Sequence, residues 1–475
     1  MNKKKTVLQQ VPVQDYAAEG KALSKIAGKV IFIEGAVPGD VVDVQLSKNK
    51  KEWAEGKAVH FHSLSADRVT PFCGHFGVCG GCKWQMLPYE KQLQYKQNEV
   101  EQNLRRIGKV ALPSIQPIIG CTETARYRNK LEFTFSNKRY LLPEEIAAKE
   151  VINQENALGF HVPRLFDKVI DITTCHLMAE PVNAIKNTIR EFAREHNYAF
   201  YDIRFHNGWL RTLIVRIATT GEVMVNVCFG YDDEKERIRL FDHLLKTVPS
   251  ITTLLYTINP KKNDTIYDLQ PQAYYGKGYI IEKLAPGAGE KELQFKIGPK
   301  SFFQTNTRQG ERLYQVTRDM ACLTGNETVY DLYCGTGSIG LFVSSNAKKI
   351  IGVETVQEAV EDARENAALN HIDHAQFFAG DVIDICTTEF FQQHGKPDVV
   401  ITDPPRAGMH EKLVNKILET AAPLVVYVSC NPATQARDLN LLGEKYEVTA
   451  VQPVDMFPHT HHIENVVQLR LKPEV

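Results

Sequence analysis

No stretch of this 475-residue chain runs to 18 consecutive apolar residues, which leaves no candidate for a membrane-spanning helix. The start, Met1–Lys5, is basic, but no apolar core follows it, so nothing reads as a secretory signal. Net charge is also missing: 56 Lys and Arg against 57 Asp and Glu leave −1, so any nucleic-acid binding must come from local patches. There is no internal repeat, no low-complexity segment and no Gly-Lys-Ser/Thr of a P-loop, which disfavours a triphosphate ligand. The ten cysteines form no dense disulfide scaffold and suit a reducing compartment. These absences imply a cytoplasmic protein with no membrane partner and no evident obligate protein partner. At 53.7 kDa the chain exceeds one typical domain, and two or three are expected.

Residues 1–66 read as a unit of their own. Lys29–Glu34 and Asp40–Leu46 are strand-like runs joined by the turn-rich Gly35–Gly39, and Ala58–His62 is a third. Short strands with Gly and Pro punctuation suggest a small OB-like β-barrel. Lys48, Lys50 and Lys51 cluster at one loop, where a solvated hairpin tip competes with a phosphate-contacting patch. A cysteine-rich loop follows, then a polar helix from about Glu90 to Ile107. Residues 126–300 alternate short strands with a helix near Pro181–Asn197 and read as a mixed α+β domain, and part of 89–125 is a candidate to pack on whatever follows. From about 301 strand and helix alternate. Thr328–Leu332, Lys349–Glu354, Ala375–Phe378, Asp398–Thr402, Leu424–Ser429, Glu447–Gln452 and Val466–Leu471 are the strands, with helices such as Gln357–Asn370 and His410–Ala421 between them. This pattern implies a doubly wound, Rossmann-like α/β domain over 301–475 and a central domain over 67–300.

Three strand-end motifs belong to that last region. In Asp331-Leu332-Tyr333-Cys334-Gly335-Thr336-Gly337 the glycines allow a tight turn and close approach of a ligand to the backbone. The next strand ends in Glu354, 23 residues after Asp331, where a carboxylate accepts ribose hydroxyl protons in dinucleotide-type sites. Gly380-Asp381 follows the third strand, placed to hold an adenine amino group. Adenosine with a tail that carries no phosphate fits this set, and S-adenosylmethionine is the common case.

Val425–Ser429 is an apolar run that stops at Cys430-Asn431-Pro432, so Cys430 is expected at the carboxyl end of a buried strand, where open α/β sheets place their chemistry. Asp403-Pro404-Pro405-Arg406 ends a similar run. A buried small hydrophobe is the ordinary role of cysteine, but a position at a sheet edge beside a polar turn argues for a nucleophile. The matching carboxylate is Glu464, in His461-His462-Ile463-Glu464-Asn465; if the terminal strand runs antiparallel to its neighbours, Glu464 faces Cys430. His459, His461 and His462 invite a metal reading that no ligand motif supports.

Cys73-x5-Cys79-x2-Cys82 is too regular for buried thiols, and such density wants a metal or a cluster. Zinc usually takes paired Cys-x2-Cys units. Three close cysteines and a distant fourth, Cys175, fit an iron–sulfur cube better, and the spacing is not that of radical enzymes.

Taken together, Ser301-Phe302-Phe303-Gln304-Thr305-Asn306, Asp403-Pro404-Pro405-Arg406, Ser429-Cys430-Asn431-Pro432 and His462-Ile463-Glu464-Asn465 resemble the RNA 5-methyluridine methyltransferases, over essentially the whole chain. The resemblance implies that Cys430 adds to C6 of uracil and that Glu464 removes the C5 proton. It places Gln304, Tyr333, Glu354 and Asp403 around cofactor and target base, with Gly335, Gly337 and Asp381 on the cofactor side. Phe302, Phe303, Asn306 and Arg406 are then expected at the base, the phenylalanines as stacking surfaces for a flipped nucleotide. The N-terminal barrel resembles the family's TRAM domain. The ribosomal-RNA branch carries four cysteines on a [4Fe-4S] cluster, which implies Cys73, Cys79, Cys82 and Cys175 as ligands and large-subunit ribosomal RNA as partner. A transfer-RNA enzyme, an RNA-binding assembly protein with a vestigial sheet, and an amino-methyltransferase are the alternatives; retention of Cys430 and Glu464 weighs against the last two. Where some members have Asn after the glycine loop, this chain has Ser338-Ile339, at the expense of one cofactor hydrogen bond.

Overall fold

The computed structural model describes residues 6–148, 155–287 and 289–473; the basic Met1–Lys5 lies outside them. Six strands, Val7–Pro12, Asp15–Tyr16, Ala22–Ile26, Lys29–Glu34, Val41–Asn49 and Trp53–Ser63, build the first unit. Val7–Pro12 and Asp15–Tyr16 form its two edges. Only two residues separate those edges in sequence, so the short link between them holds the two edges of the sheet near each other. Ile31, Ile33, Val42, Val44 and Ala54 fill its interior. The edge strands Val7–Pro12 and Asp15–Tyr16 went unread in the sequence because neither carries a clear apolar alternation.

The central unit is a seven-stranded sheet in which Val223–Phe229, next to the middle strand Leu210–Ile217, is buried along its whole length. Two helices cover its core, Val182–Glu195 as expected and Glu234–Thr247 in addition, the second capped by the Asp233 carboxylate.

The catalytic-type sheet has strands β1 (Thr328–Leu332), β2 (Lys349–Glu354), β3 (Ala375–Ala379), β4 (Val399–Thr402), β5 (Leu424–Ser429), β6 (Tyr446–Val454) and β7 (Glu464–Leu471) in the order β3-β2-β1-β4-β5-β7-β6. β1 to β5 are mutually parallel, and β7 runs antiparallel to both β5 and β6. Helices lie on both faces: Thr307–Ala321, Ser338–Val343 and Gln357–Leu369 over one core, Glu411–Thr420 and Pro432–Leu442 over the other. The hairpin Ile280–Leu284 with Leu293–Ile297 precedes residue 301, yet its apolar side chains belong to the catalytic core. Lys296 and Gln294 donate their amides to Asn366 and Asn370 of the Gln357–Leu369 helix at 2.8 Å.

Helix Tyr89–Asn103 crosses between units. Its polar sequence is deceptive, for Gln92, Lys96 and Val100 are buried, and its end packs on Pro432–Leu442. Trp84, 1% exposed, packs 5.0 Å from Tyr16 of the barrel and 6.4 Å from Tyr95 of this helix. Among the described residues no helix is long and apolar enough to cross a membrane. Because Trp84 joins the barrel to the helix, Trp84→Ala is expected to cost about 3–5 kcal/mol. Denaturant unfolding together with limited proteolysis checks this; a barrel that stays protected at an unchanged midpoint would refute it.

Candidate active site

Cys430 follows β5 directly and precedes the helix Pro432–Leu442, whose first turn is built by its neighbours. Asn431 caps the helix by accepting the Ala433 amide at 3.1 Å, and Pro432 occupies the first helical position, where a missing N–H costs nothing. Asn431 also donates to the Arg406 carbonyl at 3.0 Å, and Thr434 donates there at 3.2 Å. The Asp403–Arg406 loop is thus tied to the cysteine turn. On its far side Arg437 donates to the carbonyls of Ala407 and Met409 at 3.1 and 3.0 Å.

β7 supplies the carboxylate. Ser429 is opposite Asn465 in the β5–β7 register, so the strand reversal sets Glu464 beside Cys430 at the carboxyl edge. Asn465 is buried and pairs with Gln435, which in turn donates to the carbonyls of Tyr427 and Asn465 at 2.9 and 3.1 Å. The sequence carries no local sign of that Gln435–Asn465 brace, because only the strand order brings the two together.

The electrostatics of this edge are dominated by buried acid. Burial pushes Glu464 well above the usual carboxylate range, and the nearby Asp403 pushes it further. Burial likewise raises Asp403 to about 7. The half-buried Cys430 thiol is pushed up to about 11 by burial, then by Glu464 and Asp403. Arg406, within hydrogen-bonding reach of the thiol, pulls the other way, and a helix N-terminus next to the sulfur favours the thiolate too. The Arg406 guanidinium is itself 3.0 Å from Nδ1 of His462. Burial and the Arg406 charge lower His462 to about 4, so the ring is neutral and free to accept that bond. In sequence His462 stood in the His462–Asn465 motif and as a metal candidate, with no role assigned; the structure makes it a partner of Arg406.

The glycine loop lies after β1. Tyr333 adopts a left-handed φ of 62°, and Gly335 and Gly337 follow at 53° and 77°. A Cβ on Gly335 would meet no atom within 4 Å, so this turn faces open space of the kind a ligand takes. Gly335 donates its amide to the Glu354 carboxylate at 3.2 Å, while the other Glu354 oxygen accepts from the Val356 amide at 2.9 Å and the Thr355 hydroxyl at 3.0 Å. Asp331 is buried with one oxygen on the Gly340 amide at 2.8 Å and the other unpartnered, and burial raises it to about 7. Asp381 is exposed and caps the short helix Val382–Ile385 through Ile383 at 2.8 Å. Ser338 bonds the Tyr314 hydroxyl at 2.9 Å. These residues fit an adenosine with a charged tail: a carboxylate at the ribose position, open space where Gly335 carries no Cβ, and no basic residue in the loop for phosphates.

The segment Ser301–Asn306 divides its roles. Phe302 is 65% exposed, whereas Phe303 is buried against Phe295 at 5.7 Å and belongs to the core, so Phe302 alone of the pair offers a face to a base. Asn306 is also corrected. Its oxygen caps the Thr307–Ala321 helix at the Gln309 amide, 3.3 Å away, and its amide group donates to the Met456 carbonyl at 3.0 Å and to Cys121 at 3.6 Å. With both ends used and the side chain 3% exposed, Asn306 holds the fold and does not face a substrate. Gln304 is buried, and its carbonyl accepts from Asn129 at 2.8 Å.

Cys73, Cys79, Cys82 and Cys175 line one cavity of about 140 Å³ with His75, Gln85 and Arg128. All four are free thiols. Burial pushes Cys79 to about 12 and Cys82 to about 11, and the neighbouring sulfurs add to it. Among the described residues no three His, Cys, Asp or Glu side chains are grouped to hold one metal ion.

A family model described as tRNA (Uracil-5-)-methyltransferase matches residues 270–472. An uncharacterized RNA methyltransferase of Bacteroides thetaiotaomicron is 54% identical over 460 residues, 96% of this chain and 100% of that protein. One from Porphyromonas gingivalis is 51% identical, covering 96% and 98%. Among solved structures, the tRNA (uracil-54, C5)-methyltransferase of Pyrococcus abyssi, in complex with S-adenosyl-L-homocysteine, superposes with a TM-score of 0.73 at 25% identity, over 97% of this chain and 100% of that one.

One electrostatic consequence is directly measurable. Asp403 is mostly ionised at pH 8 and opposes the thiolate, so Asp403→Asn should speed alkylation of Cys430 by iodoacetamide by about threefold or more. Arg406→Ala should slow it, and the wild-type rate should climb with pH toward about 11. Equal rates in all three proteins at pH 8 would remove the assigned charges.

Proposed function

This chain belongs to the RNA uracil-C5 methyltransferase family, and from that membership we propose that it methylates C5 of a uridine in large-subunit ribosomal RNA through a covalent bond to Cys430. The observation that carries the mechanism is the β5–β7 register, which sets a thiol and a buried carboxylate side by side at the ligand edge of the sheet.

S-adenosylmethionine, when bound at the glycine loop and Glu354, supplies a methyl group activated by its sulfonium. The chain's own residues do the rest. Cys430, as thiolate, bonds to C6 of the uracil, and the C5–C6 electron pair moves to C5 and O4; Arg406 stabilises the thiolate beforehand. C5 then takes the methyl group, and the sulfonium electrons return to sulfur. Glu464, in its ionised form, removes the C5 proton. Its burial makes it a stronger base than a free carboxylate, which suits a carbon acid. Loss of that proton re-forms the C5–C6 double bond, and the C6–S bond breaks to free Cys430. Asp403, near neutral pH in its titration, suits hydrogen bonding to the uracil edge. Phe302 offers its exposed ring to a base drawn out of its stack. The six-stranded sheet of residues 7–63 would serve as a TRAM-type RNA-binding module.

The ribosomal substrate rests on the cysteine cavity. Four free thiols lining one cavity suit a [4Fe-4S] cube, in which each thiolate takes its own iron. Cys73, Cys79, Cys82 and Cys175 would hold it, and its role would be to fix the loop. A transfer-RNA substrate is the second reading, because the Pyrococcus abyssi structure is of a transfer-RNA enzyme.

Incubation of the anaerobically purified protein with labelled S-adenosylmethionine and separate ribosomal and transfer RNAs, followed by nucleoside mass spectrometry, decides the substrate. Label in 5-methyluridine from ribosomal RNA is expected; label in transfer RNA alone selects the second reading. Cys430→Ala should lower turnover by about 10⁴-fold or more with S-adenosylmethionine binding kept. Glu464→Gln should instead trap a protein–RNA adduct that survives denaturing electrophoresis. Methylation by Cys430→Ala would end the covalent mechanism. Iron and acid-labile sulfide should co-purify and be lost together in Cys79→Ser.

A further inference from the structure

The segment Asp455–Ile463, which delivers Glu464 to β7, is gripped from the amino-terminal third of the chain. His459 stands at a left-handed φ of 64° and is 7% exposed. A non-glycine residue keeps such a backbone only when its surroundings over-determine it. Here they do. The His459 carbonyl accepts from the amides of Lys83 and Trp84 at 2.8 and 3.0 Å, its amide donates to Gln92 Oε1 at 2.8 Å, and its ring Nδ1 lies 3.2 Å from Gln92 Nε2. One turn further along the same helix, Lys96 Nζ pairs with Asp455 at 2.6 Å and donates to the Phe457 carbonyl at 3.1 Å, with both charged side chains fully buried. The other Asp455 oxygen accepts from the Tyr89 hydroxyl at 2.7 Å. Tyr127 donates to the Pro458 carbonyl at 3.1 Å.

A buried ion pair is a poor way to gain stability, since desolvation offsets most of its attraction; its best-attested use is to set register. Polar bonds are also spent here on a connector with no cavity of its own. From that connector the chain runs straight to His462, which holds Arg406, and to Glu464. We propose that Gln92 and the Lys96–Asp455 pair are positioning residues for the proton-abstraction step: they hold the 455–463 strap so that Glu464 meets C5 of the methylated adduct. None of the three touches substrate. The proposal rests on the methylation reading given above.

The test separates steps that precede Glu464 from the one it performs. RNA carrying 5-fluorouridine has no C5 proton to lose, so adduct formation on it reports Cys430 addition and methyl transfer alone. Gln92→Leu removes both bonds to His459 at similar volume, and Asp455→Asn removes the charge at constant shape. For each variant S-adenosylmethionine affinity and the 5-fluorouridine adduct rate should stay within about twofold of wild type, while turnover on ordinary RNA falls about tenfold or more and adduct accumulates. If Asp455→Asn does not fold, Gln92→Leu alone decides. Adduct rate and turnover falling together, or turnover unchanged, would overturn the assignment, because a merely structural loss moves both. No adduct with the wild-type protein would overturn the methylation reading first.

Discussion

A parallel sheet delivers the loops after its strands to one edge and the starts of its strands to the other. Two side chains from different strands can meet at that edge as strand end and strand start only if one strand runs backward. β7 is that strand. Its reversal puts the beginning of Glu464–Leu471 where Leu424–Ser429 finishes, and the chemistry of the whole molecule follows from the one-residue offset between Ser429↔Asn465 and the Cys430–Glu464 pair beyond it. The Gln435–Asn465 brace and the Asn431–Arg406 contact then lock three loops to this edge. A slip of one residue in that register would turn Glu464 to the opposite face of the sheet.

That geometry carries an electrostatic cost. Glu464, Asp403 and the Cys430 sulfur are crowded into one buried edge; Asp403 raises the proton affinity of Glu464, and both carboxyl groups raise that of the thiol. Arg406, the cation that opposes this, is kept in place by a neutral histidine. The edge therefore favours protons on Glu464 and on the thiol. This is a sensible resting condition for a nucleophile that must not react with stray electrophiles, and it leaves activation to whatever brings the uracil and the sulfonium charge into the cleft.

The catalytic sheet was readable because its central strands are buried, apolar and cleanly ended by Gly, Asn-Pro or Asp-Pro; all seven begin and end within two residues of expectation. The terminal strand was expected from Val466, two residues late, and its antiparallel run entered only as a condition; the structure starts it at Glu464 and meets that condition. Side-chain duty was less so. Asn306 and Phe303 share a segment with Gln304 and Phe302, yet one caps a helix and the other fills a core. Neighbours in sequence can face opposite ways at a loop, and nothing in a motif says which. Gln92 and Lys96 lie within what read only as a polar helix, and nothing local marks them for burial because their partners His459 and Asp455 are more than 350 residues away. Glu234–Thr247 was missed although its Asp cap and amphipathic spacing were there to see.

The Lys96–Asp455 pair also bears on the order in which the protein is built. Synthesis runs from the amino end, and domains tend to fold as they emerge. The barrel and the central sheet have all their strands well before Asp455 is made, but helix Tyr89–Asn103 cannot bury Lys96 without its counter-charge, 359 residues later. That helix must stay solvated, or be shielded, until Asp455 has been made and is free to pair. The segment from Asp455 through β7 therefore completes two structures in one event, the active edge and the junction between halves, and a nascent chain that stops short of it has neither.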